Sequence, residues 1–176
     1  ELVHRLGVKA KLIISHASGD EGYDYGRRVI EYSKLMKVDT YFVSSIINEE
    51  RGLTESGRKI YKLEDVYPHA DLVTYPSTFE GFGNAFLEGI YFRKPMLVNR
   101  YSIFAQDIEP LGFDLVKMNG YVTDEVADRV RRLLDQPKEV SKMVRKNYAL
   151  ARRHYSYKVL RKRLAFLISN FFGIKI

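Results

Sequence analysis

Five short runs dense in Val, Ile, Leu and aromatic residues, at 11–15, 40–45, 71–75, 95–99 and 113–118, alternate with stretches of helical periodicity. Brief apolar runs without polar alternation suit parallel strands covered on both faces, whereas strict alternation suits strands with one wet face. Helical spacing fills intervals at 25–38, 64–70 and 84–92. Strand and helix in turn predict an α/β fold: an open, Rossmann-like, mostly parallel sheet flanked by helices.

After Gly120 the strand signals stop. Thr123 is placed to cap a helix whose first turn carries Asp124 and Glu125, favourable at the positive end of a helix dipole. Val126, Val130, Leu133 and Leu134 mark its buried stripe, and Pro137 breaks it. A second helix follows with Val140, Met143, Val144 and Leu150 aligned. A third runs over 157–172, with Leu160, Leu164, Leu167, Ile168 and Phe171 at helical spacing. No repeat or linker interrupts the pattern, so residues 1–176 read as one domain. Residues 1–9 look like the tail of an element, a helix, that leads straight into the first strand. A doubly wound domain opens instead with strand, glycine turn and helix. The expectation is a fragment lacking the upstream strand and turn.

Composition narrows the function classes. Apolar residues make up 45% and charged residues 29% of the chain, which excludes disorder and fibrous folds. No apolar run approaches the roughly 20 residues needed to span a bilayer. The first residues show no signal-peptide pattern, and Cys is absent, which excludes disulfide frameworks and thiolate metal sites. The location expected is cytoplasmic. The formal net charge is +7. From Arg129 to Arg163 the chain holds thirteen Lys or Arg, against only Asp135 and Glu139. Such an excess fits either an anionic partner or a solvated basic face.

The segment with the most chemistry is 75–88, YPSTFEGFGNAFLE. It runs from a strand end through a glycine turn into a helix, and open α/β sheets bind ligands outside the carboxyl ends of their strands. Gly81 and Gly83 can take φ values closed to other residues and let an anion approach the backbone. The helix start then aims unpaired N–H groups at that anion. Glu80 stands before the turn. Glu88 stands four residues after Asn84, on the same helical face. Carboxylates accept hydrogen bonds from vicinal hydroxyls, so a phosphate seat with an acid on either side suits a sugar, diphosphate and ribose in series. A tight turn with two solvated acids is the competing interpretation.

Glu80 to Glu88, preceded by DLVTYPS, resembles the E-x7-E signature of the retaining GT-B glycosyltransferases, specifically family four. Residues 65–71 (DVYPHAD) are similar to that family's short helix before the strand, and 93–99 (RKPMLVN) to its G-x-P-V-V strand. The resemblance covers about residues 10–170 and implies the C-terminal, donor-binding half of a GT-B fold. It implies a nucleotide-sugar-binding domain of a hexosyltransferase that acts with retention of anomeric configuration. It also implies roles. Glu80 would be catalytic, holding hydroxyls of the donor sugar. Gly81, Phe82 and Gly83 would present amides to the diphosphate, and Glu88 would accept from ribose hydroxyls. The loop 44–47, with Ser44 and Ile46, matches the base-contacting loop. The implied donor is a UDP-sugar or GDP-sugar, with no cofactor and no metal. The family's R-x4-K stretch has no match here, so the isolated fragment is expected to be inactive.

Other residues have two uses each. His16, at a strand's carboxyl end, would touch donor or acceptor, or serve as a hydrogen-bonded cleft histidine. Asp20, Glu21 and Asp24 match no metal-loop template and suit a polar turn. Asn84 suits a helix cap as well as a donor contact, and Asp107 lines the site or a surface loop. The basic third helix suits either packing on the protein's own domains or peripheral contact with an anionic membrane at its inner face. A basic module for nucleic acid or membrane without catalysis is the alternative function. No RNA- or DNA-binding motif supports it, and nucleic acid is not an expected partner.

Overall fold

The computed structural model describes residues 1–15 and 22–173, without the side chain of Tyr23. It is an α/β structure of parallel sheets with helices between the strands. The chain divides into two units, Glu1–Ala70 with Tyr121–Arg132, and Asp71–Gly120 with Leu133–Ile176.

In the first unit, helix α1 (Leu2–Leu6) precedes strand β1 (Lys11–Ile14), helix α2 (Gly22–Leu35) and strand β2 (Asp39–Phe42). β1 and β2 pair in parallel, with Lys11 opposite Asp39 and Ile14 opposite Phe42. β2 is shorter than its apolar run predicts, because Ser44–Ile46 turns into a 3-10 helix. These strands also depart from the expectation of burial on both faces. Lys11, Ile13, Asp39 and Tyr41, which share one face by register, are all exposed. A small antiparallel hairpin follows, β3 (Gly52–Leu53) with β4 (Lys59–Ile60), and then α3 (Leu63–Val66). Arg51 grips Asp65 through two hydrogen bonds of 2.7 and 2.9 Å, fixing the hairpin base to α3. Thr123 caps α5 (Asp124–Leu134), accepting from the Val126 N–H at 3.2 Å.

The second unit holds a three-stranded parallel sheet, in the order β5 (Val73–Tyr75), β6 (Met96–Asn99) and β7 (Val116–Met118). Only β6, the central strand, is buried at every position, as its uninterrupted apolar run predicts. Helix α4 (Asn84–Tyr91) crosses from β5 to β6. It sits so close that a Cβ on Gly89 would lie 2.6 Å from the Met96 sulfur. Phe86 of α4 meets Phe104 and Phe113 edge-on, at centroid distances of 6.0 and 5.3 Å. Phe104 belongs to a π-helical turn, Phe104–Ile108, inside a stretch the sequence shows only as a loop.

Helix α6 (Pro137–Tyr155) begins at Pro137, which ends one helix and opens the next. The first helical position needs no donor N–H, so proline costs nothing there. Its Asn147, 1% exposed, holds Asp114 from both sides. The Asn147 amide donates to the Asp114 carbonyl at 2.6 Å, and its oxygen accepts the Asp114 N–H at 2.8 Å. Helix α7 (Tyr157–Phe172) has the predicted bounds but no buried residue.

Glu109 accepts from Lys117 at 2.8 Å and from Arg100 at 2.8 and 2.9 Å, bracing the segment between β6 and β7. The hydrogen bond from Lys117 is the main cause holding its carboxyl below the usual range, with Arg100 adding to it against burial. A depressed carboxylate pKa stabilises the fold above the unfolded value, and the contribution is lost as pH falls through the folded one. Glu109→Gln is therefore expected to lower Tm at neutral pH, the gap to the parent closing as the buffer is acidified below about pH 4. Asn147→Leu is expected to destabilise by about 2–3 kcal/mol in urea unfolding, because both backbone groups of Asp114 lose their buried partner.

Candidate functional site

Strand β5 ends at Tyr75, and residues 76–83 carry the chain across the carboxyl ends of the strands to α4. The first residue of α4 is Asn84, which does not cap it. Gly83 occupies the cap at φ 92°, ψ 79°, and no side chain fills the capping role. The first N–H groups of a helix have no acceptor in a preceding turn, and the cap residue here, Gly83, has no side chain to offer one.

Of the two glycines expected to share the special geometry, only Gly83 has it. Gly81 has no positive φ and is open, with nothing within 4 Å of the point where a Cβ would stand. At Gly83 the same atom would lie 2.6 Å from the Tyr75 hydroxyl and 2.9 Å from that of Tyr101. These tyrosines, 9% and 2% exposed, stand edge-on at 6.0 Å beneath the turn. The Tyr101 hydroxyl donates to the Phe82 carbonyl at 2.7 Å. The Phe82 ring meets Tyr155 of α6 edge-on at 5.1 Å. Glycine is thus needed at 83 for conformation and for space.

Glu80 is half-buried, next to Tyr75. Burial pushes the Tyr75 phenol far above its usual range, and hydrogen bonding with Glu80 and that carboxylate's charge push the same way; hydrogen bonding with Ser77 opposes them. Tyr101 is pushed up to about 12, by burial first and then by the charge of Glu80. Both phenols stay neutral at physiological pH. On α4, Phe86, Gly89 and Ile90 face the core. Asn84, Glu88 and Tyr91 share the opposite side by helical periodicity. Glu88 is half-buried one turn into the helix.

Sequence reasoning missed Asn99, at the carboxyl end of β6 and 4% exposed. Its amide donates to the Ser77 carbonyl at 3.0 Å, and its oxygen accepts the Gly120 N–H at 2.8 Å. One side chain thereby ties the loop after β5 to the turn after β7. A buried polar residue ending an apolar strand was the available signal.

Ser44 and Ile46 belong to the first unit, on the 3-10 turn after β2. His16, Asp20 and Glu21 lie outside the described residues. Asp24 pairs with Arg27 at 3.3 Å on the first turns of α2. Asp107 is exposed on the π-helical turn. Among the described residues no three His, Asp or Glu side chains gather as a metal site requires, and no helix is long and apolar enough to cross a membrane.

A strand, a glycine-led helix start and two half-buried acids follow one another on this α/β scaffold. Similarity to known proteins sharpens this. A model of the family described as glycosyl transferases group 1 matches residues 56–150 of the 176. The chain belongs to that family. It is 40% identical over 98 residues to a mannosylglucosylglycerate synthase of Petrotoga mobilis, an alignment covering 56% of this chain and 22% of that protein. A mannosylglucosylglycerate synthase of Thermotoga maritima is 30% identical over 158 residues, covering 82% and 34%. The chain thus spans about a third or less of these relatives' length. Among solved structures, Anabaena Alr3699/HepE in complex with UDP superposes with a TM-score of 0.68 at 15% identity, over 96% of this chain and 44% of that one. TarM superposes at 0.60 and 16% identity, over 93% and 30%. The fold is that of the GT-B glycosyltransferases.

Gly83→Ala is expected to lower the unfolding free energy by about 1–3 kcal/mol from backbone strain alone. Adding Tyr75→Phe should recover part of the loss, since the hydroxyl nearest the new methyl is gone. Gly81→Ala should leave Tm unchanged. Thermal denaturation of the three variants checks the contrast.

Proposed function

We propose that this chain is the donor-binding part of a hexosyltransferase that moves a sugar from a nucleoside diphosphate to an acceptor hydroxyl with retention of configuration. The observation that carries the reading is the glycine-led start of α4 at Gly83, with half-buried Glu80 three residues before it and half-buried Glu88 a turn into the helix. The amides of 81–83 and the helix start would receive the diphosphate, where negative charge grows as the donor breaks. Glu80 would hold hydroxyls of the hexose, and Glu88 those of the ribose. The anomeric carbon–oxygen bond breaks with its electron pair leaving on the diphosphate. The acceptor oxygen bonds to the same face of that carbon and gives up its proton to the departing diphosphate. No cofactor or metal enters this scheme.

Comparison with similar proteins supports the choice of donor. The Anabaena protein is described in complex with UDP, and also with UDP and glucose. The two bacterial relatives are named for making mannosylglucosylglycerate. We therefore favour a hexose donor and a small glycosylated acid as acceptor, with Ser44 and Ile46 as base contacts. The competing use of the chain is a basic binding module, and it has an observation of its own: Lys138, Lys142, Arg145, Lys146, Arg152 and Arg153 are exposed along α6.

Calorimetric titration with UDP, GDP, UDP-glucose, GDP-mannose and a single-stranded oligonucleotide separates these readings. A nucleoside diphosphate is expected to bind at moderate salt more tightly than the oligonucleotide. Glu88→Ala should lose ~1–3 kcal/mol of that affinity, the scale of a hydrogen bond to a charged group. Equal binding by parent and variant removes Glu88 from its role.

A further inference from the structure

We propose that Tyr101 and Asn99, two residues apart at the exit of β6, are positioning residues for the diphosphate seat. Each holds a loop carbonyl toward the core, Tyr101 that of Phe82 and Asn99 that of Ser77, and so turns the N–H of the following residue to the other side. This rests on the donor-site reading above and adds to it the groups that aim the loop's amides, among them the Thr78 N–H, which that reading leaves out.

The geometry is a loop pinned at both ends from one strand exit. The Asn99 amide donates to the Ser77 carbonyl at 3.0 Å, and the Tyr101 hydroxyl donates to the Phe82 carbonyl at 2.7 Å. Between the two pinned carbonyls Thr78, Phe79 and Gly81 are exposed. The donors are held by the sheet and the core. Asn99 ends the wholly buried β6, and its oxygen accepts the Gly120 N–H at 2.8 Å. The Tyr101 ring stands edge-on to Tyr75 at 6.0 Å and tilted against Phe104 at 5.8 Å. A backbone bond of 3.0 Å from the Tyr101 N–H to the Asn99 carbonyl fixes the two residues to each other. The Arg100 N–H, between them, donates to the Met118 carbonyl of β7 at 2.9 Å.

A trans peptide is planar, with its C=O and N–H pointing opposite ways, and no described peptide here is cis. The Phe82 carbonyl and the Gly83 N–H share one such plane, and the Ser77 carbonyl and the Thr78 N–H share another. Drawing each carbonyl toward a buried side chain therefore directs the paired N–H away from it. Gly83 is buried, so the rotation of this plane decides whether its N–H meets the core or the ligand side. Dipoles fixed in advance stabilise an arriving charge without the cost of reorganising, whereas a plane free to rotate must first be ordered. Neither side chain touches the ligand in this scheme. Their effect should grow with the number of phosphates and vanish for a nucleoside, which separates positioning from a general structural role.

The test titrates the chain with uridine, UMP and UDP, or with guanosine, GMP and GDP where the parent prefers GDP. Tyr101→Phe keeps the ring and loses only the hydroxyl. It is expected to weaken the diphosphate about three- to tenfold, the scale of one hydrogen bond, to weaken the monophosphate less, and to leave the nucleoside at parental affinity. Amide resonances supply a readout for each residue. In the parent, the Gly83 and Thr78 amide protons should both move downfield as the diphosphate is added. Tyr101→Phe should abolish the Gly83 shift and spare that of Thr78, and Asn99→Ala should do the reverse; Asn99→Ser stands in where Asn99→Ala does not fold. A merely structural role would blunt both shifts together and weaken all three ligands alike. Either of those results, unchanged diphosphate binding by Tyr101→Phe, or a parent whose two amides do not respond to a bound diphosphate overturns the positioning role and leaves the donor site standing. A parent that binds neither UDP nor GDP overturns the donor reading, and the positioning role with it.

Discussion

Gly83 is pressed so tightly onto two buried tyrosine hydroxyls that any side chain there would force them to move, and its positive φ disfavours most residues on backbone grounds as well. From that contact follow the direction in which α4 leaves the sheet, the orientation of the peptide before it, and the place of Glu80 beside the strand end. The tyrosines are held in turn by the aromatic packing of Phe86, Phe104 and Phe113 around a wholly buried central strand. Core packing and site geometry are therefore one problem in the second unit. A change beneath the turn is a change in the site.

Buried amides do for the loops what tyrosines do for the turn. Asn99 and Asn147 each satisfy two backbone groups with one side chain, because an amide carries a donor and an acceptor side by side. Asn99 ends β6 and Asn147 stands midway along α6, and each partners backbone groups of a neighbouring irregular segment. Glu109 plays a third such part at the surface, drawing Arg100 and Lys117 together across the segment between β6 and β7.

Much of this was legible beforehand where period and punctuation agree. The runs ending at Tyr75 and Asn99, the helix starting at Asn84 and the helix over 157–172 fall within a residue or two of their predicted bounds. The hairpin at Gly52–Leu53 and Lys59–Ile60 escaped notice because two-residue strands are too short to show alternation. Its turn glycine, Gly57 at φ 77°, was the one local hint. Ser44 and Ser45 extend an apolar run yet lie in a 3-10 turn, just past the last register pair at Phe42. At the site, the strand, turn and helix were visible in the order of residues, and so were the two acids. The need for glycine at 83 rather than 81 was not, because it comes from Tyr75 and Tyr101, eight and eighteen residues away. Asn99 was hidden for the same reason: its partners stand more than twenty residues off on either side.

Helix α7 stands apart from this economy of shared support. None of its sixteen residues is buried, so tertiary packing contributes little to its persistence. Isolated helices of about that length are marginal in water, held by their own ladder and a few neighbouring side-chain pairs. In this chain the C-terminal helix is then expected to open more readily than the buried sheet. In deuterated solvent its amides would exchange well before those of β6, and a protease would find its basic residues first.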